Sequence, residues 1–186
     1  MSLLETLLKA KGGGLVGAMA QNLGMSQEQA TGAVRSMAPA LSRGLSRNAK
    51  QPGGFDALMG ALQKGNHGRY MDDPGLLGQA ESIADGNAIL GHIFGSKDVS
   101  RNVADNAAQA TGLDTGALKK MLPMLAAASM GSMGKQSSGG GALAGLFGSG
   151  GGGASAGMAG VLEGFLDADQ DGAVVDDLLS MAKKFF

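Results

Sequence analysis

The chain has 186 residues, a formal net charge of −1, 34 glycines, 12 methionines, one tyrosine, no tryptophan and no cysteine. Near-neutrality means that no global field draws in nucleic acid, which would need a local basic patch. The lack of cysteine excludes disulfides, thiolate metal sites and a cysteine nucleophile, and fits a cytoplasmic setting. With aromatics at only 4%, the core must come from Leu, Met, Ala and Val, which favours close helix packing and an all-α fold over a β-sandwich.

Ser2 and Glu5 have the spacing of a capping box, so a first helix is expected from Leu3, ended by Gly12, Gly13 and Gly14. Glu5 also interrupts the apolar N-terminus, which argues against a secretory signal. A second helix, about Leu15 to Leu23, stops at Gly24. Ser26 with Gln29 opens a long third one, on which Val34, Met37, Ala38, Leu41 and Leu45 follow the spacing of a buried stripe. Pro39 lies inside it and predicts a kink or local break.

Beyond Gln51-Pro52-Gly53-Gly54, residues Phe55 to Leu62 read as a helix, and Lys64 to Pro74 as a polar loop. A helix over Leu76 to Ile83 follows, and Asp85-Gly86-Asn87 reads as the start of another, closed by Gly95. Ser96 caps a helix over Lys97 to Ala110, Gly112 ends it, and Asp114 caps the next. That last helix repeats an earlier one. Thr115 to Leu125 matches Thr31 to Leu41 at a constant offset of 84 positions, with Thr, Gly, Ala, Met, Pro and Leu recurring in place. Gln21 and Gly24 correspond to Gln109 and Gly112 at an offset of 88, as if one helical turn separated the copies. Two related helix-turn-helix modules are therefore expected. The longest apolar run, Met121 to Ala128, is too short to span a membrane and contains Pro123.

These elements make a compact multi-helix body over residues 1–135. Residues 136–157 are Gly/Ser-rich and read as a flexible linker, and residues 158–186 read as a C-terminal helix-loop-helix. Several strings identify a family. G-N-A-I-L-G-H-I-F-G-S-K-D-V-S-R, then T-G-L-D and K-K-M-L-P-M-L, together with S-L-L-E-T-L-L and R-N-A-K-Q-P-G-G-F-D-A-L-M-G-A-L-Q-K-G-N-H-G-R-Y-M-D-D-P, resemble the YidB-like family over about residues 1–135. This is a bacterial domain of unknown function. The resemblance implies a compact all-α fold with a homeodomain-like helix arrangement, and no activity, substrate or catalytic residue.

The sharpest chemical motif is in the tail. Asp167, Asp169 and Asp171 occupy the first, third and fifth positions of an EF-hand-type loop, Gly172 the turn, Ala173 the carbonyl position and Val174 the apolar anchor. Leu178 stands where the bidentate Glu belongs, leaving Asp177 or Asp176 to swing in, so this is a weak candidate calcium loop. An Asp-rich turn before a helix is the plainer account.

DNA binding is the alternative: Gly24 to Arg35 has a helix-turn-helix look, with Arg35, Arg43, Arg47 and Lys50 as phosphate contacts. Glu28, early on that helix, opposes it. Catalysis has little support. His67 shares a loop with Arg69, Tyr70, Asp72 and Asp73, a set better read as hydrogen-bonded to itself than as acid–base machinery, and His92 reads as a core or near-core imidazole. The sequence thus points to a non-enzymatic interaction or scaffold protein, whose tail docks on its own body or on a protein partner.

Overall fold

The computed structural model describes residues 3–138: residues 136–138, read above as the start of a linker, are helical, and residues 139–186 lie outside the described residues. Among the described residues there is no strand, and eight α-helices are joined by short turns: α1 Leu3–Lys9, α2 Gly14–Leu23, α3 Gln27–Lys50, α4 Gly54–Lys64, α5 Arg69–Asp72, α6 Ala80–Phe94, α7 Lys97–Thr111 and α8 Thr115–Ser138. Two 3-10 turns, Ala10–Gly13 and Pro74–Gly78, link α1 to α2 and α5 to α6.

The repeat is a pair of structural twins. In each copy a shorter helix ends on a left-handed glycine, Gly24 (φ 66°) or Gly112 (φ 70°), a conformation that only glycine adopts without steric cost. A capped 24-residue helix then follows. At α3 the cap is reciprocal: the Ser26 hydroxyl accepts from the Gln29 amide at 3.1 Å, and the Gln29 side-chain oxygen accepts from the Ser26 amide at 2.9 Å. At α8, Asp114 Oδ2 accepts from the Ala117 amide at 2.8 Å. The helix bounds of the two copies follow the offset of 88, whereas the stripes Val34, Met37, Ala38, Leu41 and Leu118, Met121, Leu122, Leu125, all buried, follow 84. Pro123 therefore sits one turn nearer the start of its helix than Pro39 does. Neither proline breaks its helix. Each withholds one backbone N–H, but packing on both sides keeps the chain helical.

The twins differ in their later halves. After Leu41, α3 carries Arg43, Arg47 and Lys50, all exposed, and so keeps one face in water. After Leu125, α8 reads A-A-A-S-M-G-S-M, and every residue from Met121 to Met133 is buried. A helix apolar all round belongs in the middle of a fold, and α8 packs against each of the other α-helices, most extensively α6 and α7. Met19, Met37, Met121, Met124, Met130 and Met133 are all in this core, filling irregular gaps between helices.

Two expectations need correction. Leu76 to Phe94 is not two helices divided at Asp85-Gly86-Asn87, because α6 runs unbroken from Ala80 to Phe94. Gly86 is there for contact: a side chain on it would strike the backbone of Pro123, falling 2.5 Å from the carbonyl carbon and 2.8 Å from Cα. The expected irregular loop from Lys64 to Pro74 also contains a helical turn, α5, that packs against α8.

Candidate functional site

The loop around α5 gathers the most concentrated polar chemistry among the described residues. Tyr70 is only 1% exposed, and a buried phenol needs a partner. Its hydroxyl donates to Asp85 Oδ2 at 2.5 Å, across from α6. Arg69 Nη2 donates to the Tyr70 oxygen at 2.8 Å and to Asp85 Oδ2 at 3.0 Å, and it pairs with Glu81 Oε1 at 3.0 Å. His67 stacks on the Tyr70 ring, with centroids 6.2 Å apart. Its Nδ1 stands 3.8 Å from Asp85 Oδ2, beyond hydrogen-bond reach, and is buried without a partner.

Burial and hydrogen bonding fix the protonation of Tyr70, His67 and Arg69 near neutral pH. Burial raises the Tyr70 hydroxyl to about 12, reinforced by its hydrogen bond to Asp85, so it stays a donor. Burial lowers the His67 imidazole against the attraction of Asp85, so it stays neutral. Hydrogen bonds to Tyr70 and Glu81 hold Arg69 charged. A protonated phenol, a fixed guanidinium and two carboxylates make a clamp between the loop and α6. Lys135 on α8 pairs with Asp72 and ties the same loop down a second time.

Of the loop residues grouped from the sequence, the fold brings His67, Arg69 and Tyr70 together. Asp72 turns to Lys135, and Asp73 caps the 3-10 turn through the Gly75 amide at 3.0 Å. Asp85 and Glu81 complete the cluster and were missed. Their i, i+4 spacing on one helix face was the available signal. His92, expected in or near the core, is exposed: the buried stripe of α6 is Ile89, Leu90 and Ile93, and His92 falls just outside it. The candidate calcium loop, Asp167, Asp169, Asp171, Ala173 and Asp177, lies outside the described residues. Among the described residues no group of three or more His, Asp or Glu is placed to hold a metal ion. Glu28, Arg35, Arg43, Arg47 and Lys50 of the helix-turn-helix reading are all exposed on α3.

A second feature has the geometry of a docking surface. Between α3, the end of α6 and the start of α7 lies a cleft of about 430 Å³. Ile93, Phe94, Val99 and Val103 form its apolar floor, and Arg43, Arg47 and His92 stand at its rim. Its shape comes from small residues: Gly44 lets α3 close on Ile93 and Phe94, where a side chain would collide with both. Asn48 Nδ2 donates to the His92 carbonyl at 2.9 Å and pins α3 to the end of α6. Val99, 41% exposed in this cleft, is the exposed large hydrophobic residue among the described ones. Arg47 makes no ion pair among the described residues.

The profile of a bacterial family, bacterial protein of unknown function (DUF937), matches residues 5–136. The chain belongs to this family. The match spans most of the helical body described above, from within α1 to near the end of α8. No curated protein and no solved structure matches the chain. Among the described residues of this DUF937 chain, no helix is long and apolar enough to cross a membrane.

Proposed function

We propose that this DUF937 protein is a non-enzymatic interaction module whose body docks a protein segment in the cleft between α3, α6 and α7. One observation carries the reading: Val99 is exposed on an apolar floor whose rim holds Arg43, Arg47 and His92. An apolar floor with a cationic rim suits an amphipathic segment bearing acidic residues, with apolar burial giving affinity and charge giving orientation. The polar cluster at Tyr70 supports a structural role for itself, because the Arg69 guanidinium is paired with Asp85 and Glu81 and the buried Tyr70 hydroxyl bridges α5 to α6.

The test is capture from bacterial extract with the full chain, its Val99→Asp variant and its Arg47→Glu variant. Val99 is exposed, so the aspartate should leave the melting temperature unchanged. A protein retained by the native chain and lost with both variants supports the reading. A protein retained equally by the native chain and by Val99→Asp sinks it.

DNA binding through α2 and α3 is the second reading, favoured by the exposure of Arg35, Arg43, Arg47 and Lys50 along α3. Exposed Glu28 at the start of that helix opposes the approach of a phosphate backbone. A gel shift against mixed DNA at low salt decides it, since non-specific binding is strongest there. Weak calcium binding by the tail loop is a separate proposal resting on the aspartate spacing alone.

A further inference from the structure

The charge of this chain is divided between its two parts. Residues 1–138 hold 13 of the 15 basic residues and 10 of the 16 acidic ones, a net of +3; residues 139–186 hold two basic and six acidic, a net of −4. Within the tail, Met158, Val161, Leu162, Phe165 and Leu166 recur at i, i+3, i+4, i+7 and i+8, the spacing of one apolar helix face. At the same spacing Glu163 falls towards the flank of that stripe and Asp167 on the face opposite it. The cleft at Val99 is its complement, apolar on the floor and cationic at the rim.

We infer that the occupant of this cleft is the chain's own segment from Met158 to Asp167, docked in cis. The inference rests on the docking reading above and names its partner. Val99, Phe94 and Val103 receive the apolar stripe, while Arg47 pairs with Glu163 at its flank. The neighbouring cleft between α6, α7 and α8 also has a cationic rim, but there Arg101 is paired with Asp98 and Lys119 with Asp105, each at about 3 Å. Lys97 on that rim makes no ion pair among the described residues, as Arg47 makes none here, so what sets the cleft on α3 apart is Val99, exposed within it.

The reach is sufficient. The end of α6 lies beside Leu122 and Pro123 of α8, so from Ser138 the chain must travel back along α8 by roughly 23 Å, at 1.5 Å per residue. A Gly/Ser-rich stretch the length of residues 139–157 has a root-mean-square span of roughly 24 Å. A linker matched to its span holds the segment at an effective concentration on the order of millimolar. Even an intrinsic dissociation constant of roughly 100 μM would then leave the cleft mostly occupied.

Because the chain has no cysteine, a single spin label at Ala159→Cys reports on the intact protein. Selective broadening of the Ile93, Val99 and Val103 methyl signals is expected, lost in the same chain carrying Arg47→Glu. No selective broadening of these methyls overturns the inference. An equal mixture of isotope-labelled chain without nitroxide and unlabelled chain with it checks for exchange. Broadening in that mixture means docking between copies, and overturns the assignment in cis. If the tail is undocked yet capture of a partner still depends on Val99, only this inference falls. If capture is independent of Val99 as well, the docking function falls with it.

Discussion

A backbone contact between α6 and α8 gives a sharp test of how the core packs. Gly86 of α6 faces the Pro123 backbone of α8, and a Cβ there would lie 2.5 Å from the carbonyl carbon, where ordinary contact begins at 3.4 Å. Gly86→Ala must therefore part the two helices by about 1 Å, a gap that forfeits a quarter to a half of the dispersion energy across their contact. Overpacking of this kind costs about 3 kcal/mol. Alanine's better helix propensity returns about 1 kcal/mol, for a net loss of about 2 kcal/mol. For a body of this size that lowers Tm by about 7 °C. Gly91 is the internal control: it lies on the same helix, and a Cβ added there would meet nothing within 4 Å, so Gly91→Ala should stabilise by up to about 1 kcal/mol. Chemical denaturation of both variants decides the matter. If Gly86→Ala is as stable as Gly91→Ala, the close contact does not govern how α6 sits on α8.

Tyr70→Phe removes a buried donor to Asp85 and an acceptor from Arg69, and should cost about 1–2 kcal/mol in urea unfolding at pH 7. The Tyr70 hydroxyl is raised to about 12 in the fold, so its contribution is complete below about pH 10 and is lost as pH rises towards 12; the native advantage over Tyr70→Phe should shrink in that window. His67 runs the other way. Burial lowers its pKa, so its neutral form supports the fold above about pH 6.5, and stability should fall as pH drops below that value, less so in His67→Gln. Ser26→Ala loses the reciprocal cap of α3 and should cost about 1 kcal/mol, read as a shift in urea midpoint. Calorimetric titration of the full chain with calcium, with Asp167→Asn and Asp169→Asn as controls, should give a weak heat that the substitutions abolish; no heat at millimolar calcium removes the tail loop as a metal site.

Most of the body was legible in the sequence because its signals are local. A serine followed three residues later by glutamine, a glycine ending a stripe, and an apolar face at helical spacing each act within a turn or two of the chain. The repeat was legible too, down to the extra turn between its copies. What escaped depends on partners distant in sequence. Gly86 has the local look of a helix boundary, and only the backbone of Pro123 explains why it stands mid-helix. Tyr70 and Arg69 could be grouped with their loop, but Asp85 joins them only once α6 is in place. His92 was misplaced because one residue on a short helix separates a buried face from a wet one. The cleft at Val99 is a product of three helices, and no single stretch of sequence announces it.

The position of α8 has a consequence for how the protein comes into being. The helix that every other helix leans on is the last of the body to be synthesised. Until the ribosome has passed Met133, α3 can pack on α1, α2, α4, α6 and α7, but the partner that all seven earlier helices share is missing. Domains tend to fold as units while the chain emerges. Here the unit closes only at its end, so nascent chains that stop short of α8 should be the ones that engage chaperones, and truncations inside α8 should be cleared from the cell rather than tolerated.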